Sequence, residues 1–346
     1  YTPGPDLSPL AWQRVSVGSA SWSLCGVTHT TCSASVMESV VSYLSTPLES
    51  WDALVCTSQA AKEVVTRLLD EQESYLAQRL GAKTFTRPQL PIIPLGVDCA
   101  SLCFTPQQRQ LARTQLAIPE GDMVVLYAGR LSFHAKAHPL PMYTALQALT
   151  HKHQVHIVHF GVFASTALEK GFKEGAQALC PNVTCHWLDG SVSVNHALAW
   201  QSADVFCSLA DNIQETFGLT PIEAMAAGLP VVVSDWNGYK DTVRHEVDGF
   251  RVTTSMPVAG SGLGLAQRHH FGIDNFDYYI GHASQFVGVD IPQCTSAFDA
   301  LFSSHELRQK MGKSGQLRAH EVYDWPVVVA QYQLLWQQLG ELRKAS

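Results

Sequence analysis

The segment that most constrains this chain is residues 215–243, ETFGLTPIEAMAAGLPVVVSDWNGYKDTV. It joins a short polar loop, a helix of about two turns and an apolar run too short to be a helix. Thr220 suits the cap of that helix and Pro221 its first position, where a missing N–H costs nothing. Glu223 stands three residues on, where it can reach back to the cap. Gly228 and Pro230 end the helix. Residues 229–234 (LPVVVS) then predict a strand that is apolar on both faces, as a parallel sheet covered by helices requires. A helix leaving such a sheet points its free N–H groups and positive dipole end outward, here beside Glu215 and the backbone of Phe217 and Gly218. That environment suits a phosphate-bearing ligand whose hydroxyls find carboxylate acceptors.

The same alternation runs through the chain. Strand-like runs are predicted at 53–57, 90–95, 123–129 (MVVLYAG), 155–160, 183–188 and 204–209, with helical patterns between them. Ser58 is the expected cap of the helix that follows the first of these. Alternating strands and helices predict Rossmann-like, doubly wound α/β layers. A length of 346 residues suits two domains rather than one core. Thr105-Pro106 opens a polar helix that reads as the connection between them. The expected division is 1–105, 106–325, and a closing helix over 326–346. Within the second of these, 255–286 is Gly- and aromatic-rich with no clean period. A connection of that length without structure of its own tends to be functional.

Composition narrows the function. Lysine and arginine number 23 against 30 acidic residues, a net charge of −7, which argues against a broad nucleic-acid surface. No run approaches the length of a membrane span and no signal peptide is visible. A cytoplasmic protein is expected, with peripheral membrane contact still compatible. The nine cysteines are scattered and odd in number. Cys99 and Cys103, like Cys180 and Cys185, lack the C-x2-C spacing of a zinc site, so reduced thiols and no metal are expected. His151, His153, His156 and His159 form a tempting cluster, but an offset of three puts His156 and His159 on opposite faces of a strand. Ordinary structural roles are the better reading.

Glu215 and Glu223, with Phe217, Gly218, Pro221 and the strand downstream in register, resemble the E-x7-E signature of retaining glycosyltransferases of the family 4 type. The resemblance covers roughly residues 25–342 and is strongest from Val124 onward. It implies a GT-B fold of two Rossmann-like doubly wound parallel-sheet domains and a nucleotide-diphosphate sugar donor of UDP or GDP type. In that family the first glutamate contacts donor-sugar hydroxyls and the second the ribose, roles that fall on Glu215 and Glu223. A capping box alone is the bland alternative for Glu223. The intervening Thr216, Phe217, Gly218 and Leu219 fall within the donor-binding stretch. Arg130 and Lys136, in GRLSFHAK, resemble the pair of cations that hold the diphosphate, although Ala137 replaces the usual glycine. The alternatives are a strand-end charge and a solvated loop lysine. Trp187 and Leu188 end a strand where the family places backbone contacts to the base. His29, in CGVTHTTCS, resembles the first-domain histidine lying over the donor sugar, with a purely structural histidine as the alternative. Gly96 and Asp98 resemble the hinge-proximal pattern. Residues 235–238 (DWNG) stand where many relatives have a Gly-rich turn. There is no D-x-D in the sequence, which fits the expectation of metal-independent transfer with no cofactor.

The first domain is short for its type, lacking the opening strands and the Gly-rich turn of relatives, so the chain reads as truncated at its start. The expected activity is retaining transfer of a sugar from a nucleotide-diphosphate sugar to a hydroxyl acceptor, whether glycan, lipid or small molecule. The rival readings are a non-catalytic nucleotide-sugar binding subunit, and an epimerase or phosphorylase on the same scaffold.

Overall fold

The computed structural model describes all 346 residues. They divide into two compact units: residues 1–96 together with 325–346, and residues 97–324.

In the first unit, β1 (Cys25–Val27) and β2 (Ala53–Val55) pair in parallel with Cys25 opposite Ala53. The expected strand at 90–95 is only partly realised. Gln89 and Ile92 bridge Ala53 and Cys56 in parallel, and Pro91 and Gln89 accept at 2.9 Å from Cys56 and Leu54. Three prolines, Pro88, Pro91 and Pro94, supply no N–H to a ladder, so the run stays a set of bridges. Ser58 caps the long helix Gln59–Leu80 by accepting from Ala61 at 3.0 Å. The final helix, Trp325–Ala345, buries Val328, Leu335 and Leu339 against Cys25, Val27, Ala53, Val55 and Ile93. A buried ion pair organises the other end. Arg14 forks onto both oxygens of Asp52 at 2.6 and 2.7 Å, and Asp52 also accepts from Leu24 at 2.7 Å and Glu49 at 2.8 Å. Such full pairing is what a buried charge needs.

The second unit begins nine residues before the expected boundary of 105/106, at Val97. The reason is local: Val97 donates to Tyr323 at 2.8 Å and bridges Asp324, which ties its segment to the end of this unit. The polar helix Pro106–Gln115 starts with a reciprocal capping box between Thr105 and Gln108. Six parallel strands follow: β3 (Met123–Ala128), β4 (Val155–Gly161), β5 (Thr184–Asp189), β6 (Val205–Ser208), β7 (Val231–Ser234) and β8 (Gly249–Val252). Their order is β5-β4-β3-β6-β7-β8. The connections thus reverse direction between β3 and β6, the switch point of a doubly wound sheet, where the loops part and leave a crevice. β7 is buried at every position, as its unbroken apolar run requires. β8, GFRV, was not anticipated because its charged and apolar residues disguise a short edge strand.

Two expectations are corrected here. Residues 255–286 are not structureless: they contain the helices Leu263–His270 and Phe276–Ser284, enclosed by an antiparallel pairing of Thr254–Ser255 with Gly288–Val289. These helices bury only Ile280 and Ser284, so no apolar stripe marks them in the sequence. Nor does Thr220 cap the helix after Glu215. That helix is Leu219–Ala226, its cap is Gly218, and no side chain caps it. Gly218 turns the chain with φ +97°, which starts the helix two residues earlier and leaves Glu223 nothing to reach back to. At the other end Leu229 donates to Ala224 and Gly228 to Met225, both at 2.9 Å, with Gly228 at φ +75°, a Schellman stop.

Candidate functional site

Three stretches of the second unit meet at the switch point: the loop after β3, the loop after β6 and the start of the helix Leu219–Ala226. The cleft there is lined by Gly129, Arg130, Lys136, Ser208, Glu215 and Thr220, among others, with Tyr239 beneath. Lys136 Nζ stands 3.3 Å from Glu215 Oε2. Their side chains are 40% and 11% exposed, so the ammonium reaches solvent while the carboxylate is mostly enclosed.

Neither residue reaches this place by chance of its own rotamer. Ala137 bridges Ala210, stitching the two loops together next to Lys136, and Tyr127 donates to the Ala137 carbonyl at 2.8 Å from within β3. Ala137 is almost wholly buried. Glu215 is held by its own loop, where its N–H donates to Asn212 at 3.1 Å and its carboxylate accepts from Phe217 at 3.4 Å. Asn212 in turn donates to the His134 carbonyl and accepts from Trp236 Nε1 at 2.9 Å. Arg130 follows Gly129 just past the end of β3, is exposed and lines the same cleft. The site therefore offers two cations, one carboxylate and a helix N-terminus.

Glycines permit the tight construction. A Cβ on Gly218 would lie 2.3 Å from the Tyr239 ring, and one on Gly238 would lie 2.4 Å from Phe217 Cα and the Thr216 carbonyl. Tyr239 is wholly buried, and its hydroxyl meets Ser208 Oγ at 2.8 Å. Burial pushes its phenol well above the ordinary range, so it serves as a neutral hydrogen-bonding floor. Residues 235–238 thus act as a prop under the Glu215 loop, with Trp236 as its strut. Sequence reasoning missed Tyr239, Ser208 and this role of Trp236. The only signal was a glycine on each of the two segments that touch.

The other expected residues fall elsewhere. Leu219 is the exposed first residue of the helix, and Glu223 lies one turn further in, half-buried. Burial raises the Glu223 carboxyl above its ordinary value. Trp187 and Leu188, at the end of β5, line a neighbouring hollow with Leu131, Gly161, Phe163 and Lys173 instead of the Lys136 cleft. The Trp187 ring is occupied: it stacks on His159 at 3.9 Å and 12°, with Lys173 Nζ 5.8 Å over its face. His159 is neutral, its pKa lowered to about 3 by burial, and it bonds Tyr143 at 2.8 Å. His156 turns the other way, to Asp122 at 2.9 Å and His186 at 3.0 Å. His29 belongs to the first unit, where its Nε2 donates to the Pro3 carbonyl at 2.6 Å. Gly96 also lies there, packed under Trp325, whose ring a Cβ would meet at 2.5 Å.

Behind the site, Asp211 is buried, one carboxylate oxygen has no partner, and burial pushes its pKa up to about 7.

Residues 108–259 match the family described as Glycosyl transferases group 1. That stretch, somewhat under half of the chain, is similar to this family. Among curated proteins similar to the chain, the D-inositol 3-phosphate glycosyltransferase of Geodermatophilus obscurus is 32% identical over 174 residues, 48% of this chain and 37% of that protein. The phosphatidyl-myo-inositol mannosyltransferase of Mycobacterium leprae is 31% identical over 142 residues, 41% of this chain and 28% of that protein. The matched stretch therefore spans well under half of these relatives. Among solved structures, sucrose-phosphate synthase from Thermosynechococcus elongatus resembles the chain with a TM-score of 0.60 at 19% identity, over 98% of this chain and 72% of that one. HepE from Anabaena, in complex with UDP-glucose, gives 0.55 at 18% identity over 93% of this chain and 72% of its own. The fold is the GT-B glycosyltransferase type, with Rossmann-like parallel sheets, that the sequence led us to expect. No helix is long and apolar enough to cross a membrane.

Proposed function

We propose that this protein is a retaining glycosyltransferase that moves a sugar from a nucleotide-diphosphate sugar to a hydroxyl acceptor. The observation that carries the reading is the Lys136–Glu215 pair at 3.3 Å, set with Arg130 at the switch point of a group 1 domain. Breaking the bond between the anomeric carbon and the phosphate oxygen leaves negative charge on the diphosphate. Arg130, Lys136 and the N–H groups opening the Leu219–Ala226 helix are placed to receive that charge, the logic of an oxyanion hole. Glu215, 3.3 Å from Lys136, accepts from donor-sugar hydroxyls, while Glu223 accepts from the ribose. The acceptor oxygen bonds to the anomeric carbon on the face that the diphosphate leaves, and its proton passes to the departing phosphate oxygen. Side-chain cations take the part that a metal ion plays elsewhere, so transfer proceeds without one.

UDP or a close analogue is the first donor to try, because the HepE complexes hold UDP and UDP-glucose. The relatives' names favour a polyol or lipid-linked polyol as acceptor. Nine free cysteines support a cytoplasmic setting. The test is calorimetry of UDP- and GDP-sugars, followed by mass analysis of products with inositol-type acceptors under EDTA. A transferred hexose of retained anomeric configuration is expected. Binding without turnover would reduce the protein to a nucleotide-sugar binding subunit, and loss of turnover in EDTA would overturn metal independence.

A further inference from the structure

A second cluster of chemistry-bearing side chains lies apart from the cleft, where the first and last segments of the second unit run side by side. On the first segment, a short 3-10 turn over Ala100–Leu102 separates Cys99 from Cys103. On the last, a π-helix, Ala319–Tyr323, carries His320 and is followed by Asp324. π-helical turns are rare and are concentrated at functional sites. Cys99, His320 and Asp324 each bring one ligand atom to within 4.8 Å of the others. Cys103 Sγ is 3.9 Å from His320 Nε2, and Asp324 Oδ1 is 3.4 Å from the Cys99 amide.

We propose that Cys99, Cys103, His320 and Asp324 form a zinc site that clips the two ends of this unit together. Two thiols, an imidazole and a carboxylate make a four-ligand set that suits zinc over magnesium or calcium, since soft sulfur ligands select it. The spacing, C-x3-C with a distant H-x3-D, lies within the range of zinc sites, broader than the C-x2-C pattern sought in the sequence. Metal–ligand bonds of about 2.0–2.3 Å in a tetrahedron place donor atoms roughly 3.3–3.8 Å apart. The donors of Cys99, His320 and Asp324 stand within 4.8 Å of one another, and binding would draw them to that spacing through side-chain torsions. Cys103 Sγ now donates to the Cys99 carbonyl at 3.4 Å, and turning it toward His320 completes the set, with both thiols losing their protons on binding. The backbone is already matched across the site by the Val97 bridge to Asp324. None of the four residues lines the Lys136 cleft, so the site is structural and does not depend on the donor reading.

The test uses the full, reduced chain stripped of metal. After equilibration with micromolar zinc and gel filtration, one zinc per chain should remain, and cobalt(II) in its place should give tetrahedral d–d and thiolate charge-transfer absorption. Cys99 is buried and its replacement risks the fold, so the variants are Cys103→Ala and His320→Asn, at exposed and half-buried positions. Each should weaken zinc at least tenfold and remove the zinc-dependent rise in melting temperature, while Cys185→Ser changes neither. Absence of retained zinc in the parent, cobalt spectra without thiolate absorption, or equal zinc binding by parent and both variants would overturn the proposal.

Discussion

Replacing Lys136 by alanine tests the site at its centre, because the proposed function gives that lysine two opposing jobs. In the free protein its charge sits 3.3 Å from Glu215. Coulomb's law places that contact between about 1 kcal/mol at the dielectric of water and about 5 kcal/mol at an effective dielectric near 20. The ammonium is 40% exposed, which screens it, so the net contribution to folding should be no more than about 1 kcal/mol. Towards a bound diphosphate the balance differs. The variant loses a charge-assisted contact of about 1.5–3 kcal/mol, a drop of roughly 10- to 150-fold in affinity. It also leaves the enclosed Glu215 carboxylate uncompensated beside the phosphates. Calorimetry with UDP and uridine separates these effects: UDP should weaken by that amount, and uridine should hardly change. The double variant Lys136→Ala/Glu215→Gln should recover part of the UDP affinity, since the unpaired negative charge is gone. Equal losses for UDP and uridine, or no recovery in the double variant, would refute the assignment of Lys136 to the diphosphate.

Further outcomes follow from the geometry. Glu223 caps nothing, so Glu223→Gln should leave unfolding within about 0.5 kcal/mol of the parent while weakening both nucleoside and nucleotide by about 1.5–3 kcal/mol; a lowered melting temperature with unchanged affinity would restore a structural role. Gly218→Ala places a Cβ 2.3 Å from the Tyr239 ring at φ +97°. Left-handed strain and overpacking together should cost about 2–5 kcal/mol in urea denaturation, and a cost under about 1 kcal/mol would mean that the Tyr239 prop is soft. Asp211 has a folded pKa of about 7 against an ordinary value of 3.8. The folded state therefore holds this proton more tightly, and stability falls as pH rises from about 4 through 7, by at most roughly 4 kcal/mol. Asp211→Asn should stabilise the protein at pH 8 and do little at pH 4; a gain of equal size at both would show that titration is not the cause.

Much of this was legible in the chain because it depends on local chemistry. Apolar runs such as MVVLYA and the three valines of β7 read as strands covered on both faces, and a strand–helix alternation around them admits few sheet topologies. Spacing within a single loop and helix likewise brought Glu215 and Glu223 to notice. What sequence could not yield was whatever depends on which loops lie side by side. The strand order alone brings the loop after β3 to the loop after β6, and so Lys136 to Glu215 across 79 residues. The same order carries Trp187 and Leu188 to another hollow. Gly218 looked like one residue of a motif, yet its φ and the Tyr239 ring packed against it decide where the helix begins, and that removed the predicted cap at Thr220. Cys99 and Cys103 looked inert until the chain's return brought His320 and Asp324 to them. Periodicity and capping chemistry act over a few residues and are written in the chain. Juxtaposition of distant loops is set by packing of the whole sheet, and only the tertiary structure decides it.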